Sequence, residues 1–143
     1  MLVSQILKAK GDLVFTISPF ETLAAATERL ADRKVGALVV MDSADRVVGI
    51  ISERDIVRLV AEAGGQGLQR SVETGMTRDV VFAEPTETCD QLMSRMTDRR
   101  IRHLPVCVGG RLVGLVSIGD LVKVRIAEIE AESEGLKAYI AGG

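Results

Sequence analysis

The chain contains one unit twice, and nothing else in the sequence restricts the fold as strongly. Val47-Val-Gly-Ile-Ile-Ser-Glu-Arg-Asp-Ile-Val57 lies over Leu112-Val-Gly-Leu-Val-Ser-Ile-Gly-Asp-Leu-Val122 with five of eleven positions identical and four more exchanging one aliphatic residue for another. Average residue usage would give about one identity by chance. Upstream, Pro19 falls on Pro85 at an offset of 66, whereas the glycine segments are offset by 65. The lost residue belongs to a turn, Met41-Asp-Ser-Ala-Asp-Arg46 in the first copy and the shorter Cys107-Val-Gly-Gly-Arg111 in the second.

Both copies predict the same succession of elements. A short extended segment, Val14 to Ile17 or Val80 to Ala83, meets a proline. A helix follows, its apolar face marked by Leu23, Ala26, Thr27 and Leu30, or by Leu92, Met93 and Met96. Thr86 is the expected cap of the second of these helices. Two apolar strands come next, from Gly36 to Met41 and Val47 to Ile51, or from His103 to Cys107 and Leu112 to Val116. Ser52 and Ser117 open the closing helix, and the stretch Ala63-Gly-Gly-Gln-Gly67 is expected to be a loop that ends the first copy. The fold class is therefore α/β (α+β): two β-α-β-β-α repeats, residues 1–67 and 68–124, with a C-terminal amphipathic helix over 125–143. A unit of about sixty residues buries too little of its own sheet. The two sheets are expected to pack face to face around a pseudo-twofold axis, leaving two related clefts at the strand ends.

Composition narrows the function. Hydrophobic residues make up 47% of the chain and aromatics only 3%, so the core is aliphatic. Eighteen basic against 20 acidic residues leave a net charge of -2, without the positive excess typical of a nucleic-acid partner. Cys89 and Cys107 form no CxxC pair and His103 is the single histidine, which argues against a metal site. The cysteines read as small apolar side chains in a reducing compartment. The N-terminus lacks the pattern of a secretory signal, and no apolar run approaches the roughly 20 residues of a membrane span. A cytoplasmic protein without a membrane partner is expected.

Two patterns point to a site. The first is Gly-x-x-Ser-x-x-Asp, as Gly49, Ser52 and Asp55 and again as Gly114, Ser117 and Asp120. The glycine would let a ligand approach the strand backbone. The serine stands at a strand-to-helix junction where free N–H groups favour an anion. The aspartate, one turn on, can accept hydrogen bonds from vicinal hydroxyls such as those of a ribose. Ser-x-x-Asp is equally a helix-capping arrangement, and capping by itself would account for both residues. The second pattern is Asp98-Arg-Arg-Ile-Arg-His-Leu-Pro-Val106, in which Arg102 and His103 lead into a strand and can reach a cleft edge. Arginine suits phosphate, and the alternative is a solvated charged helix end with His103 on a backbone partner. Gly36 and Ala37 occupy the equivalent positions of the first copy, so the two clefts should differ.

The duplicated unit, the paired Gly-x-x-Ser-x-x-Asp endings and the Arg-His-Leu-Pro-Val strand resemble the tandem CBS-domain pair, or Bateman module, from about Val3 to Val124. The resemblance implies a disc-like homodimer that takes AMP, ADP, ATP, NAD or related adenosyl compounds in its clefts. It implies that Asp55 and Asp120 hold ribose hydroxyls and that Ser52 and Ser117 lie near phosphates. Arg102 and His103 match, in reversed order, the basic pair that meets phosphate in the regulatory gamma subunit of the AMP-activated kinase. Backbone near Val14, Ala37 and Val39, and near Val80 and Pro105, would surround adenine.

Three functions follow as expectations. A nucleotide-sensing regulatory module would act on a partner protein. An enzyme would need a nucleophile with a base or a metal cluster, and the duplicated aspartates suit binding better than asymmetric catalysis. An adaptor with empty clefts would show no nucleotide-dependent stability. In the tail, Val122, Ile126, Ile129, Ser133, Leu136 and Ile140 recur at alternating steps of four and three. That seam fits either a dimer contact or a helix laid back on its own module.

Overall fold

The computed structural model of the chain describes residues 1–11 and 13–142. The elements run α1 (Val3–Lys10), β1 (Thr16–Ile17), α2 (Leu23–Arg33), β2 (Ala37–Met41), β3 (Val47–Ser52) and α3 (Glu53–Ala63). After a 3₁₀ turn (Gly65–Gln69) come α4 (Val72–Gly75), α5 (Cys89–Arg99), β4 (His103–Val108), β5 (Arg111–Ser117) and α6 (Ile118–Gly142). In the first copy β1 pairs parallel with β2, which pairs antiparallel with β3. In the second, β4 and β5 form the antiparallel pair, and the leading strand shrinks to one parallel bridge between Ala83 and Val106. Both ladders shift register at the same place, Val40/Met41 and Val106/Cys107. The repeat extends to such irregularities, as expected of one backbone used twice.

The lead helices of the copies are built alike. Thr22 accepts the Ala25 N–H at 3.1 Å and Thr88 accepts the Gln91 N–H at 3.2 Å. The cap of α5 is therefore Thr88 and not Thr86, which sits in the preceding turn, too far from the helix to reach its first free amides. Each helix ends on a left-handed non-glycine residue, Lys34 at φ 55° and Arg100 at φ 54°. Arg29 binds Glu21 and the Thr16 carbonyl, and Arg95 binds Glu87 and the Phe82 carbonyl, so each lead segment is clamped to its helix. The arginine bonds hold both glutamates below the usual carboxylate range. The glycine stretch expected as a loop is shorter than that. Helix α3 runs to Ala63, and the 3₁₀ turn uses Gly65 to Gln69, where a β-carbon on Gly67 would stand 3.1 Å from Ala63 Cβ and 3.3 Å from Leu59.

Two aliphatic cores result. One joins Leu23, Ala26, Leu30, Leu38, Val40 and Ile51 to Val72 of α4. The other joins Leu92, Met96, Leu104, Val106, Val116 and Leu121 to Val3, Ile6 and Leu7 of α1. Helix α1, at the start of the chain, thus completes the core of the second copy, and α4, which follows the first copy, completes the core of the first. Full burial of each Leu or Val is worth about 1.5–3 kcal/mol, and this exchange ties the copies together. Strand β2 is buried on both faces. Leu38 and Val40 enter the first core, while Ala37 and Val39 are equally buried on the other side. There the copies meet, and a β-carbon on Gly36 would stand 3.3 Å from the His103 ring. Burial pushes the Cys89 and Cys107 thiols up, so both stay protonated at neutral pH.

Helix α6 does not fold back. Leu121 and Val124 face the second core, and Glu128 receives the N-terminal ammonium of Met1 at 3.3 Å. The seam of Val122, Ile126, Ile129, Leu136 and Ile140 points away from the module and is exposed along its whole length.

Candidate functional site

A cleft of about 500 Å³ opens where the copies meet, within the size range of small-molecule sites. The end of β3 and the first turns of α3 form one wall, with Ser52, Asp55 and Arg58. Residues 77, 79, 80 and 81 form the floor, and 100 to 103 the opposite wall. Ile50, Val57, Val80, Val81 and Ile101 give it an apolar surface, and Arg54, Arg58, Arg100 and Arg102 a cationic one. A smaller depression continues from it and shares Arg54, Arg100 and Arg102.

Ser52 and Asp55 do form a capping box. Asp55 Oδ2 accepts the Ser52 N–H at 2.9 Å and the Ser52 hydroxyl at 3.0 Å, while Ser52 Oγ accepts the Asp55 N–H at 3.3 Å. Capping does not use all of the carboxylate. Asp55 Oδ1 reaches only toward the Thr77 hydroxyl, at 3.3 Å, and is left with acceptor capacity in the cleft. A buried carboxylate beside two rotatable hydroxyls suits vicinal ligand hydroxyls.

Arg102 and His103 both line this cleft. Arg102 precedes β4, and its carbonyl accepts the Ile118 N–H at 2.8 Å, which fixes the backbone and leaves the guanidinium exposed at the rim. His103 is half-buried. Its burial lowers the imidazole pKa, against the pull of Asp120 and Glu53, so at neutral pH it is a neutral ring. Arg100 owes its place to the left-handed turn at the end of α5.

Of the residues singled out in the sequence, the cleft gathers Ser52, Asp55, Val80, Arg102 and His103. Ala37, Val39 and Pro105 are buried within the strands where the sheets meet, and Val14 lies in the segment before β1. Ser117 and Asp120 stand at the pseudo-equivalent junction of β5 and α6. Ser117 N–H donates to Asp120 Oδ2 at 2.9 Å, and Asp120 N–H donates to Ser117 Oγ at 3.2 Å. Here, however, Lys10 at the end of α1 binds Asp120 Oδ2 at 2.6 Å and the Leu115 carbonyl at 2.8 Å. Burial pushes the Asp120 carboxyl up, but the bonds from Lys10 and Ser117 outweigh it and hold the group below the carboxylate range. One copy's aspartate accepts only from hydroxyls and a backbone N–H at the cleft. The other is held by an ammonium of its own chain.

The glycines of the motif do other work than expected. A β-carbon on Gly49 would stand 2.5 Å from Met76 Sδ, and one on Gly114 the same distance from a Leu7 methyl. The room they leave is filled by the chain itself, which seats α4 and α1 on the two sheets. Thr77, Asp79 and Arg58 were not singled out in the sequence. Arg54 and Arg58 are spaced i,i+4 on α3, a signal that was available for one of them.

The chain is thus a repeated β-α-β-β-α pair, two matched halves with a cleft at their junction. The CBS domain profile matches residues 11–62 and 70–127, and the chain belongs to the CBS-domain family. The crystal structure of the CBS-domain containing protein ATU1752 from Agrobacterium tumefaciens is similar at 45% identity and a TM-score of 0.85, over 87% of this chain and 92% of that one. The mitochondrial CBS domain-containing protein CBSX3 of Arabidopsis thaliana is 33% identical, over 99% of this chain and 72% of its own. The CBS domain pair of protein MJ0100, solved in complex with 5'-methylthioadenosine and S-adenosyl-L-methionine, matches at 25% identity and a TM-score of 0.79, over 90% of this chain and 98% of that one. Among the described residues no helix is long and apolar enough to cross a membrane.

Proposed function

We propose that the chain is a non-catalytic regulatory module of the cytoplasm that binds an adenine nucleotide (AMP, ADP, ATP or NAD) between its CBS repeats and signals its presence to a partner protein. The observation that carries this reading is the cleft that combines the Asp55 carboxylate, an apolar wall and four arginines. The ribose hydroxyls lie on Asp55, the base against Val80 and its apolar neighbours, and the phosphates toward Arg100 and Arg102. The adenosyl ligands of the MJ0100 pair support the choice of an adenosine compound. A nucleotide bound between the repeats would favour one arrangement of them, which a partner reads as differential affinity. In this reading the module works as a homodimer.

A thermal-shift series with AMP, ADP, ATP, NAD and S-adenosylmethionine tests it. A ligand at a hundredfold excess over its Kd stabilises the native state by about 2.7 kcal/mol, several degrees in Tm. Ser52 and Asp55 already satisfy one another in the cap, which favours the adaptor reading if no ligand shifts a sample shown free of copurified nucleotide. Saturation that leaves partner affinity unchanged would remove the signalling part.

Arg100 separates stability from binding. A left-handed residue with a β-carbon is strained by about 1 kcal/mol, which glycine relieves at a similar entropic cost. Arg100→Gly is therefore expected to leave the unliganded Tm unchanged or slightly raised. The same variant should weaken phosphate-bearing ligands about tenfold, through the loss of one charge-assisted contact of at least about 1.5 kcal/mol. Calorimetric titration with ATP and adenosine reads the difference, and an equal loss for both ligands would deny Arg100 a phosphate role.

A further inference from the structure

Of the side-chain types that line the cleft, imidazole alone exchanges its proton near neutral pH. His103 is the chain's single histidine, and it stands where the copies meet. Strand β4 sets it opposite Ser117, and a β-carbon on Gly36 would stand 3.3 Å from both its Cε1 and its Nε2. The outer edge of the ring therefore rests on the backbone just before β2, where the Gly36 carbonyl accepts the Glu53 N–H at 3.0 Å. Among the described residues no group hydrogen-bonds either ring nitrogen, and neither nitrogen is closed off from the cleft. The ring can take a second proton without breaking a bond.

The charges around it are divided. Burial, with Lys10 of α1 and Arg102, keeps a proton off the ring and holds the imidazole below its ordinary range, while Asp120 of α6 and Glu53 of α3 pull the other way. Arg54, Asp55 and Arg58 of α3, with Asp79 and Arg100, complete the charged lining of the cleft. A phosphate that enters among these arginines brings negative charge beside the ring, and an opposite charge within about 4–6 Å favours the protonated form. The guanidinium groups cannot answer by gaining a proton. His103 can. We infer that a phosphate-bearing ligand binds this cleft together with a proton on His103, so that the module reads nucleotide and acidity jointly. This rests on the adenine-nucleotide reading of the cleft and adds a proton linkage to it. The liganded form then holds more protons than the free form between their two titration midpoints. Affinity rises as pH falls through the liganded midpoint, by up to about tenfold per pH unit, and levels off below the free one.

The Cε1–H resonance of the single histidine, followed by NMR against pH in the intact chain, tests the linkage. AMP, ADP, ATP and NAD are each added at saturation, with adenosine as the ligand without phosphate. Every nucleotide that binds is expected to move the midpoint upward, and adenosine to leave it near the free value. In calorimetric titrations with the same nucleotide, the ratio of the parent's affinity to that of His103→Gln should climb as pH falls from about 8 to 6. Taking the ratio cancels the ionisation of the nucleotide itself. A nucleotide that binds without moving the midpoint overturns the inference and leaves the nucleotide reading intact. An upward shift as large with adenosine also overturns it, because phosphate would then play no part. A chain that binds none of the four nucleotides removes both the inference and the reading it rests on.

Discussion

Replacing Asp55 by alanine should remove adenine-nucleotide binding almost completely. Two ribose hydroxyls donating to one carboxylate make two hydrogen bonds to a charged acceptor, each contributing about 1.5 kcal/mol or more. Their loss corresponds to a fall in affinity of about a hundredfold. The same carboxylate closes the cap of α3, through the Ser52 N–H at 2.9 Å and the Ser52 hydroxyl at 3.0 Å. Losing the cap costs about 1 kcal/mol and lowers the unliganded Tm by a few degrees. The informative quantity is therefore the ligand-induced shift measured from each variant's own baseline. Asp55→Asn retains an acceptor for the cap but not the charge, and should fall between parent and alanine variant. Asp120→Ala removes the equivalent group of the other copy and should leave the main site intact. An Asp55→Ala protein that binds within threefold of the parent would show that the carboxylate is a cap and nothing more.

What the sequence disclosed follows from what is local in it. The two Gly-x-x-Ser-x-x-Asp segments placed β3, α3, β5 and the start of α6, because each is a strand-to-helix junction read from adjacent residues. Thr86 is the wrong cap although it precedes an apolar helical run, because the turn at Pro85 lets Thr88, and not Thr86, reach the free amides. The glycines were misjudged for a different reason. A missing β-carbon signals close approach, but not whether a ligand or the chain's own Met76 and Leu7 do the approaching. Helix α1 shows the same limit. Val3, Ile6 and Leu7 mark an apolar face, yet nothing nearby says that it belongs to the second core. Likewise the ion pair of Lys10 with Asp120 spans 110 positions, beyond any local pattern. The seam of α6 was legible as a period. Its direction needed the buried Leu121 and the Met1 contact to fix which side faces inward.

Lys10 makes the two halves of the module unequal, and its removal should create a second ligand site. In the first copy Asp55 is approached by hydroxyls, which rotate away at little cost. In the second copy a ribose must displace an ammonium that binds Asp120 at 2.6 Å while also holding the Leu115 carbonyl. Breaking a partly exposed pair of this kind costs up to about 1 kcal/mol, and the charge-assisted bonds lost with it bring the handicap to about tenfold or more in affinity. Calorimetry near the Kd of the first cleft should then count one ligand per chain in the parent and approach two in Lys10→Met, which keeps the apolar stem. The unliganded protein provides an independent reading. The folded-state pKa of Asp120 is depressed, so its pair with Lys10 contributes stability above the unfolded carboxylate value near 3.9, and that contribution is lost as pH falls through the lower folded value. Lys10→Met should accordingly be less stable than the parent at pH 7, by no more than about 1 kcal/mol, with the gap closing in acid below about pH 4. Two equivalent ligands on the parent would mean that Lys10 swings aside freely. A single ligand on Lys10→Met, together with the expected loss of stability at pH 7, would place the block elsewhere in the second cleft, with Gly36 and Ala37 standing where the first cleft has Arg102 and His103.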